Sequence, residues 1–221
     1  MKKNIALIAL CILWMGLIII SYFYFDIFVM KRIYALHLSA GNGSILWWLT
    51  NFGNGLYVIL AVFLAGVISL MFIRHRVAII GSIYLFVSVI LTSLFCDVLK
   101  FILGRYRPSL YYDSGRKLYG FSFDVFSRHH WSRYESFPSG HTTIASALAI
   151  GIFLLLPKWR VPAIFYMVMI ASTRVLRLDH YVSDVMAGMC LGAIGSFVLY
   201  RIFYQRLIQS QFLLNVKWIK Q

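Results

Sequence analysis

Lys100 and Arg107 stand seven residues apart in the segment Lys-Phe-Ile-Leu-Gly-Arg-Tyr-Arg-Pro. That is about two turns if a helix persists, although Gly104 and Pro108 predict that it ends nearby. Alone, such a pair reads equally well as two cations snorkelling at the edge of a membrane. A second segment, Pro138-Ser139-Gly140-His141, opens an apolar run. A glycine-containing turn at a helix N-terminus offers free backbone N–H groups and the positive end of the helix dipole, which suits an anion. Its plainer reading is an ordinary N-cap made by Ser139 or Thr142. The third segment, Ser172-Thr173-Arg174 followed by His180 and Asp184, sets a histidine and a carboxylate at i, i+4 spacing. A carboxylate so placed can hold one imidazole nitrogen while the other is aimed elsewhere, as a nucleophile or base requires. Taken alone, it also fits a buried pair that only fixes a loop. Together the segments supply three cations, a helix N-terminus, two histidines and an orienting carboxylate. Tetrahedral phosphate calls for that set: donors for its non-bridging oxygens, an in-line nucleophile, and an acid for the leaving oxygen. The acids are scattered and the cysteines lie in apolar runs, so no metal site and no cofactor is expected.

Lys-x6-Arg-Pro, Pro-Ser-Gly-His and Ser-x-Arg-x5-His-x3-Asp, in this order, resemble the three signature motifs of the type 2 phosphatidic acid phosphatase family, which is related to the vanadium haloperoxidases. The resemblance runs from about Leu91 to Gly192; before it the chain matches only in being hydrophobic. It implies that Lys100, Arg107, Ser139, Gly140 and Arg174 bind phosphate oxygens. By the same resemblance His180 is the nucleophile that becomes a phosphohistidine, Asp184 orients it, and His141 protonates the leaving group. The third motif departs from the family form. Thr173 separates Ser172 from Arg174, Leu178 stands where a glycine is common, and Arg177 is an additional cation.

The elements that must position these residues are membrane helices. The chain is 61% hydrophobic and 13% charged, with a mean hydropathy of +0.80; ordinary soluble domains are about 45–50% apolar. Spanning a hydrocarbon core about 30 Å thick takes roughly 20 apolar residues. Six segments are read as spans: Ile5 to Tyr24, Leu56 to Ile73, Val77 to Leu103, Thr142 to Leu156, Val161 to Thr173 and Val185 to Phe203. The expected fold is therefore all-α, a polytopic membrane bundle of six transmembrane helices forming one domain over residues 1–221, with its motif-bearing core at about 91–192. The first apolar run follows Lys2 and Lys3 but ends in Tyr22-Phe23-Tyr24-Phe25 without a small-residue cleavage site, so it reads as an uncleaved span rather than a signal peptide. Cys11, Cys96 and Cys190 all fall within spans, and no disulfide framework follows.

A net charge of +14 would suggest nucleic acid as partner in a soluble protein; here it reads as interfacial charge, and no nucleic acid is expected. The short connections Arg74-His75-Arg76 and Lys158-Trp159-Arg160 are basic and free of acids, which favours placing them and both termini in the cytoplasm. All three motif segments then open on the outer side, in keeping with a bacterial inner membrane protein whose site faces the periplasm or exterior. Gly41-Asn42-Gly43 and Gly53-Asn54-Gly55 bracket a short helix from Ser44 to Phe52 whose Trp47 and Trp48 suit the interface. The tail, 205–221, reads as an amphipathic segment on the inner surface or as a frayed end.

The outer loop from Ser109 to Phe137 is rich in aromatic and basic residues. It reads as an interfacial belt or as a lid recognising a second anionic or sugar group. This loop and the compact plan resemble bacterial family members acting on lipid A or undecaprenyl pyrophosphate, which makes a phosphorylated lipid the expected partner and lipid A phosphate the leading substrate. Undecaprenyl pyrophosphate and phosphatidylglycerol phosphate stay open, as does a phosphotransferase that passes the phosphoryl group to another lipid. No obligate protein partner is evident. A non-catalytic scaffold or ion transporter is disfavoured because the spans carry almost no charge between their ends.

Overall fold

In hydrocarbon every backbone N–H must be satisfied within the protein, so long apolar segments fold as helices. The structure, a computed structural model, describes residues 2–36, 43–73, 76–113, 118–123 and 133–206. Helix α1 (Lys2–Ile20) continues through a π-helical turn, Ser21–Phe25, into α2 (Asp26–Ala35). The short α3 (Ile45–Asn51) is capped by Ser44, whose Oγ accepts the Trp47 N–H at 3.2 Å. Asn54 caps α4 (Gly55–Ile68) in the same way through Leu56 N–H, 3.0 Å away. The 28-residue α5 (Arg76–Leu103) ends at Gly104, whose φ of +54° an L side chain rarely adopts. Pro108 then opens α6 (Pro108–Asp113), its ring suited to a first helical turn. The remaining helices are α7 (Gly140–Leu155), α8 (Arg160–Leu176) and α9 (Val182–Leu199).

Helix α7 is the centre of the bundle, packed against α4, α5, α8 and α9. Its interior is made of small and hydroxyl-bearing residues: Thr142, Thr143, Ala145, Ser146, Ala147 and Ala149 are all buried. Between helices in lipid, close backbone approach and buried hydrogen bonds take the place of a large apolar core. Gly192 of α9 shows why size matters there, since a Cβ on it would collide with the Thr143 carbonyl and the Ala147 amide. Tyr84 of α5 donates to the Ser196 carbonyl at 3.0 Å, and Trp14 of α1 donates its indole N–H to the Met186 carbonyl at 3.0 Å. The outer surface is the apolar one, with Val161 80%, Phe23 71% and Phe165 68% exposed.

By length and composition, four helices among the described residues can cross a membrane: Ala9–Ala35, Gly55–Ile73, Arg76–Leu103 and Val182–Tyr204. The sequence-based count of six is therefore not met on those grounds. Helix α7 is apolar but only 16 residues long, and α8 has 17 residues with Arg160 and Arg174 at its ends. The physical reason for α7 is its position, because an interior helix meets protein rather than lipid and can carry His141, Thr142 and Thr143 in its first turn. A second correction concerns Asp26. It lies just beyond the expected first span, Ile5 to Tyr24, but the helix runs on past it to Ala35 and its side chain is 1% exposed. A buried counter-cation, described below, lets the acid stay inside. Gly41, Asn42, Arg74, His75, residues 114–117 and 124–132 of the outer loop, and the tail beyond Arg206 lie outside the described residues.

Candidate active site

The ends of α5 and α8 and the beginnings of α7 and α9 meet at one end of the bundle. The Ser139 N–H donates to the Asp184 carbonyl at 3.1 Å, tying the first turns of α7 and α9 together. Lys100, in the last turn of α5, brings its ammonium over the start of α7: a Cβ placed on Gly140 would lie 2.8 Å from Lys100 Nζ. Ser139 has the extended backbone of an N-cap, but its hydroxyl pairs with Thr142 Oγ1 at 3.0 Å and caps no backbone N–H. The first turn of α7 thus keeps amide donors next to an ammonium, an arrangement that suits an anion.

Two guanidinium groups stand at the same end of the bundle. Arg107 does not share a helix with Lys100, as a continuous helix would have required; the turn at Gly104 carries the chain back, and the Arg107 N–H donates to the Arg133 carbonyl at 3.0 Å. Arg174 ends α8 and is 7% exposed, with one Nη1 hydrogen-bonded to Thr50 Oγ1 at 3.0 Å and paired with Asp179 at 3.0 Å. Among the described residues, the buried Nε atoms of both Arg107 and Arg174 have no hydrogen-bond partner. Buried donors left unmade are costly, and an oxyanion would satisfy both. A cleft of about 250 Å³ opens beside Arg107, with Tyr34 and Tyr112 on one side and Arg177 and Asp179 on the other.

Beyond Arg174 the chain folds back over the helix end. The N–H groups of Asp179 and His180 both donate to the Arg174 carbonyl at 3.2 Å. Leu178 adopts φ +57° in this turn, the left-handed region that explains why a glycine is common there in the family the motifs resemble. Ser172, counted in the motif, is exposed, whereas Thr173 is 2% exposed and bonds back to the Ile170 carbonyl at 2.7 Å.

His180 is 3% exposed. Its Nδ1 lies 2.7 Å from the Ser136 carbonyl oxygen and 3.8 Å from Asp184 Oδ2. The direct partner is therefore the main chain of Ser136, and the i, i+4 carboxylate expected to hold the ring does so at one remove. A carbonyl can only accept, so Nδ1 carries the hydrogen and the Nε2 lone pair is left free. Asp184 Oδ2 is taken up by the Ser136 hydroxyl at 2.6 Å and the Tyr181 N–H at 2.8 Å. Burial, then the charges of Arg107, Arg174 and Lys100, lower the His180 pKa well below its ordinary 6.5. The same three cations and the His180 ring act electrostatically on His141, so both imidazoles stand in one field at one end of the bundle.

A buried ion network absent from the sequence reading lies behind Asp184. Arg105 is 0% exposed and bridges two carboxylates: Nη1 to Asp184 Oδ1, and Nη2 to Asp26 Oδ2 at 2.6 Å. Ser183 joins both sides, accepting from Arg105 Nη1 at 2.6 Å while its N–H and hydroxyl donate to Asp26. One signal for this was present in the sequence: Asp26 is the only acid before Asp97, set in an apolar helix, and such a residue is costly there unless paired. Thr50 and Ser136, both polar residues without a distinctive spacing, gave none. Among the described residues no group of three His, Cys, Asp or Glu side chains gathers in a way that could hold a metal ion.

The sequence profile of the PAP2 superfamily matches residues 81–208, which takes in all three motif segments. The chain belongs to the PAP2 superfamily. Among curated relatives, this PAP2 protein is 43% identical over 110 residues to a lipid A 1-phosphatase of Rhizobium johnstonii, covering 50% of this chain and 43% of that one. It is 41% identical over 123 residues to the lipid A 1-phosphatase of Rhizobium etli, 56% and 50% of the two chains. An undecaprenyl-diphosphatase of Sulfolobus acidocaldarius is 30% identical over 137 residues, 62% and 61% of the two chains. The chain thus spans half or less of the length of the two Rhizobium proteins it matches. Its fold is shared with the transmembrane PAP2-type phosphatidylglycerolphosphate phosphatase of Bacillus subtilis, at TM-score 0.58 and 17% identity over 93% of this chain and 98% of that one. The apolar helices and this fold make it a multi-pass membrane protein.

Proposed function

We propose that this PAP2 protein is a lipid phosphatase that hydrolyses a phosphate ester of a membrane lipid, with lipid A phosphate as substrate, through a phosphohistidine on His180. The observation that carries the reading is the pair of buried guanidinium Nε atoms of Arg107 and Arg174, which have no hydrogen-bond partner among the described residues and are set in the same electrostatic field as two imidazoles and an ammonium. The Rhizobium relatives point to lipid A, since both are named lipid A 1-phosphatase.

In this mechanism Lys100, Arg107, Arg174, Ser139 and the amides at Gly140 hold the non-bridging oxygens. The His180 Nε2 lone pair attacks phosphorus in line. The phosphorus–oxygen bond to the lipid breaks, its electron pair leaves on the lipid oxygen, and His141 supplies that oxygen with a proton. Water then attacks the phosphohistidine, gives its proton to His141, and the phosphorus–nitrogen bond breaks to return neutral His180 and free phosphate. Asp184 steadies the ring throughout by way of Ser136. The charges that gather on phosphorus are stabilised by fixed donors, which act more strongly in a water-poor site than in bulk solvent.

Helices α7 and α8 complete six spans in this reading, and residues 1–221 form one domain. Both termini lie in the cytoplasm of a bacterium, and the site opens on the outer face of the inner membrane. The alternating directions of the helices support this, because they put the basic ends at Arg76, Arg160 and Arg201 opposite Lys100, His141 and His180.

The test is purified protein assayed against lipid A, undecaprenyl pyrophosphate, phosphatidylglycerol phosphate and phosphatidic acid, with products read by mass spectrometry. Release of free phosphate from lipid A, abolished by His180→Ala in a protein that still inserts and folds, is the expected result. Transfer of phosphate to a second lipid would make the protein a phosphotransferase, and full turnover by His180→Ala would remove the nucleophile.

A further inference from the structure

Arg105 falls between Lys100 and Arg107 in sequence, yet it is 0% exposed and both its Nη atoms are engaged behind the site. Its neighbours come from separate parts of the chain: Asp26 from α2, Ser183 and Asp184 from α9, and Tyr119, whose hydroxyl lies 3.1 Å from Nη2. The rings of Tyr181, Tyr22, Tyr119 and Phe121 surround the guanidinium carbon at 4.5, 4.8, 5.3 and 5.4 Å. Burial opposes its charge, but Asp184 and Asp26 outweigh burial and raise its pKa above the ordinary value.

The backbone of the same residue closes the circuit. The Ser136 N–H donates to the Arg105 carbonyl at 3.2 Å, and the Ser136 hydroxyl donates to the carboxylate that the Arg105 side chain grips. Ser136 is therefore held at both ends by one arginine, directly and through Asp184. Its carbonyl is the acceptor for His180 Nδ1. A bidentate fork between two carboxylates fixes distance and angle together, which a point charge on a flexible stem cannot do.

We propose that Arg105 is a positioning residue: anchored on Asp26, it sets Asp184 and Ser136 so that Ser136 fixes the tautomer and aim of His180. This rests on His180 being the nucleophile, as proposed above. It also assigns a role in the reaction to α2, a segment before the family motifs. Arg105 touches no reacting atom and acts only through Ser136 and Asp184.

The variants are Arg105→Lys and Asp26→Asn, each compared with wild type in detergent or vesicles. Active enzyme is counted by stoichiometric binding of inorganic vanadate, so that partly unfolded protein does not enter the rates. Expected per active molecule is a fall in kcat of about 10- to 100-fold for Arg105→Lys, the scale on which small misplacements act. KM should stay within about threefold, since the groups that hold phosphate are untouched. A second readout needs no turnover: 15N spectra of the His180 ring should pass from a single Nδ1–H tautomer to a mixture. The pH dependence of kcat should shift with it, because Asp184 loses its anchor while Arg107, Arg174, Lys100, His141 and Asp179 around the ring are unchanged. Asp26→Asn should move each readout in the same direction by less, and it decides the matter if Arg105→Lys does not fold. Wild-type kcat, tautomer and pH profile in the folded variants would overturn the proposal. Turnover that survives His180→Gln would instead sink the assignment of His180 as nucleophile, whereas a dead His180→Gln beside a wild-type Arg105→Lys sinks only the positioning role.

Discussion

The His180 ring hangs from the main chain of Ser136, Nδ1 to carbonyl oxygen at 2.7 Å, while Asp184, the carboxylate at i+4, stands 3.8 Å away. A carbonyl oxygen is a fixed acceptor at every pH, whereas a carboxylate loses its charge on protonation. The ring is thereby held in one tautomer by a group that does not titrate, and the carboxylate stabilises the holder.

This arrangement sets a pH dependence. Burial and the charges of Arg107, Arg174 and Lys100 lower the folded-state pKa of His180 below 6.5, so the imidazole stays neutral in the free enzyme as pH falls through 6.5. The unfolded chain takes up that proton near 6.5, so it binds more protons than the folded one below this value. His180 therefore makes folding less favourable as pH drops from 6.5 toward its folded pKa, and is neutral to stability above. Ring 15N shifts of His180 should show half-titration below 6.5, and Arg107→Gln should move it upward. A midpoint at or above 6.5 in the phosphate-free protein contradicts the burial and charge described here.

Arg107 is expected to be intolerant of lysine. Its buried Nε has no hydrogen-bond partner among the described residues, and an ammonium cannot reproduce a planar fork. Loss of one oxyanion donor costs about 10²–10³ in kcat. Arg107→Lys should lose activity on that scale and bind vanadate more weakly, with unchanged thermal stability. Rates within a few-fold of wild type would place the phosphate elsewhere.

Gly192 is expected to be a packing position rather than a chemical one. A Cβ there meets the Thr143 carbonyl and the Ala147 amide, backbone atoms that cannot swing aside. Gly192→Val should separate α7 from α9 and lose about 1–3 kcal/mol or more of stability. The check is a thermal melt in detergent, in which the midpoint falls while active-site titration tracks the folded fraction. A variant as stable as wild type would mean that the two helices do not cross so closely.

Turnover is expected to persist in EDTA, since Lys100, Arg107 and Arg174 supply positive charge where a metal would otherwise be needed. The measurement is phosphate release before and after dialysis against chelator, with divalent cations then restored. Loss that reverses with one metal and no other would assign the charge stabilisation to that ion.

The sequence by itself determined the medium and supplied the groups from which the proposed chemistry is built. Uncharged apolar runs have one solvent in which they are stable, and three motif segments together carry groups whose types suit phosphate. It also placed the segments at one end of the bundle, because successive spans alternate sides. The short helix at Ile45–Asn51 was legible from its turn signals for the same local reason. What the tertiary structure decided is which groups actually touch. Asp26 and Thr50 are 157 and 124 residues from their partners Ser183 and Arg174 in the chain, so no spacing rule reaches them. Ser136 acts through its carbonyl, which every residue possesses, and so leaves no mark in the sequence. The i, i+4 rule put Asp184 on the right side of His180 but could not foresee that Arg105, Ser136 and Tyr181 would claim its oxygens first. A buried carboxylate must satisfy all its lone pairs, and its partners are chosen by the packing of helices rather than by neighbours along the chain.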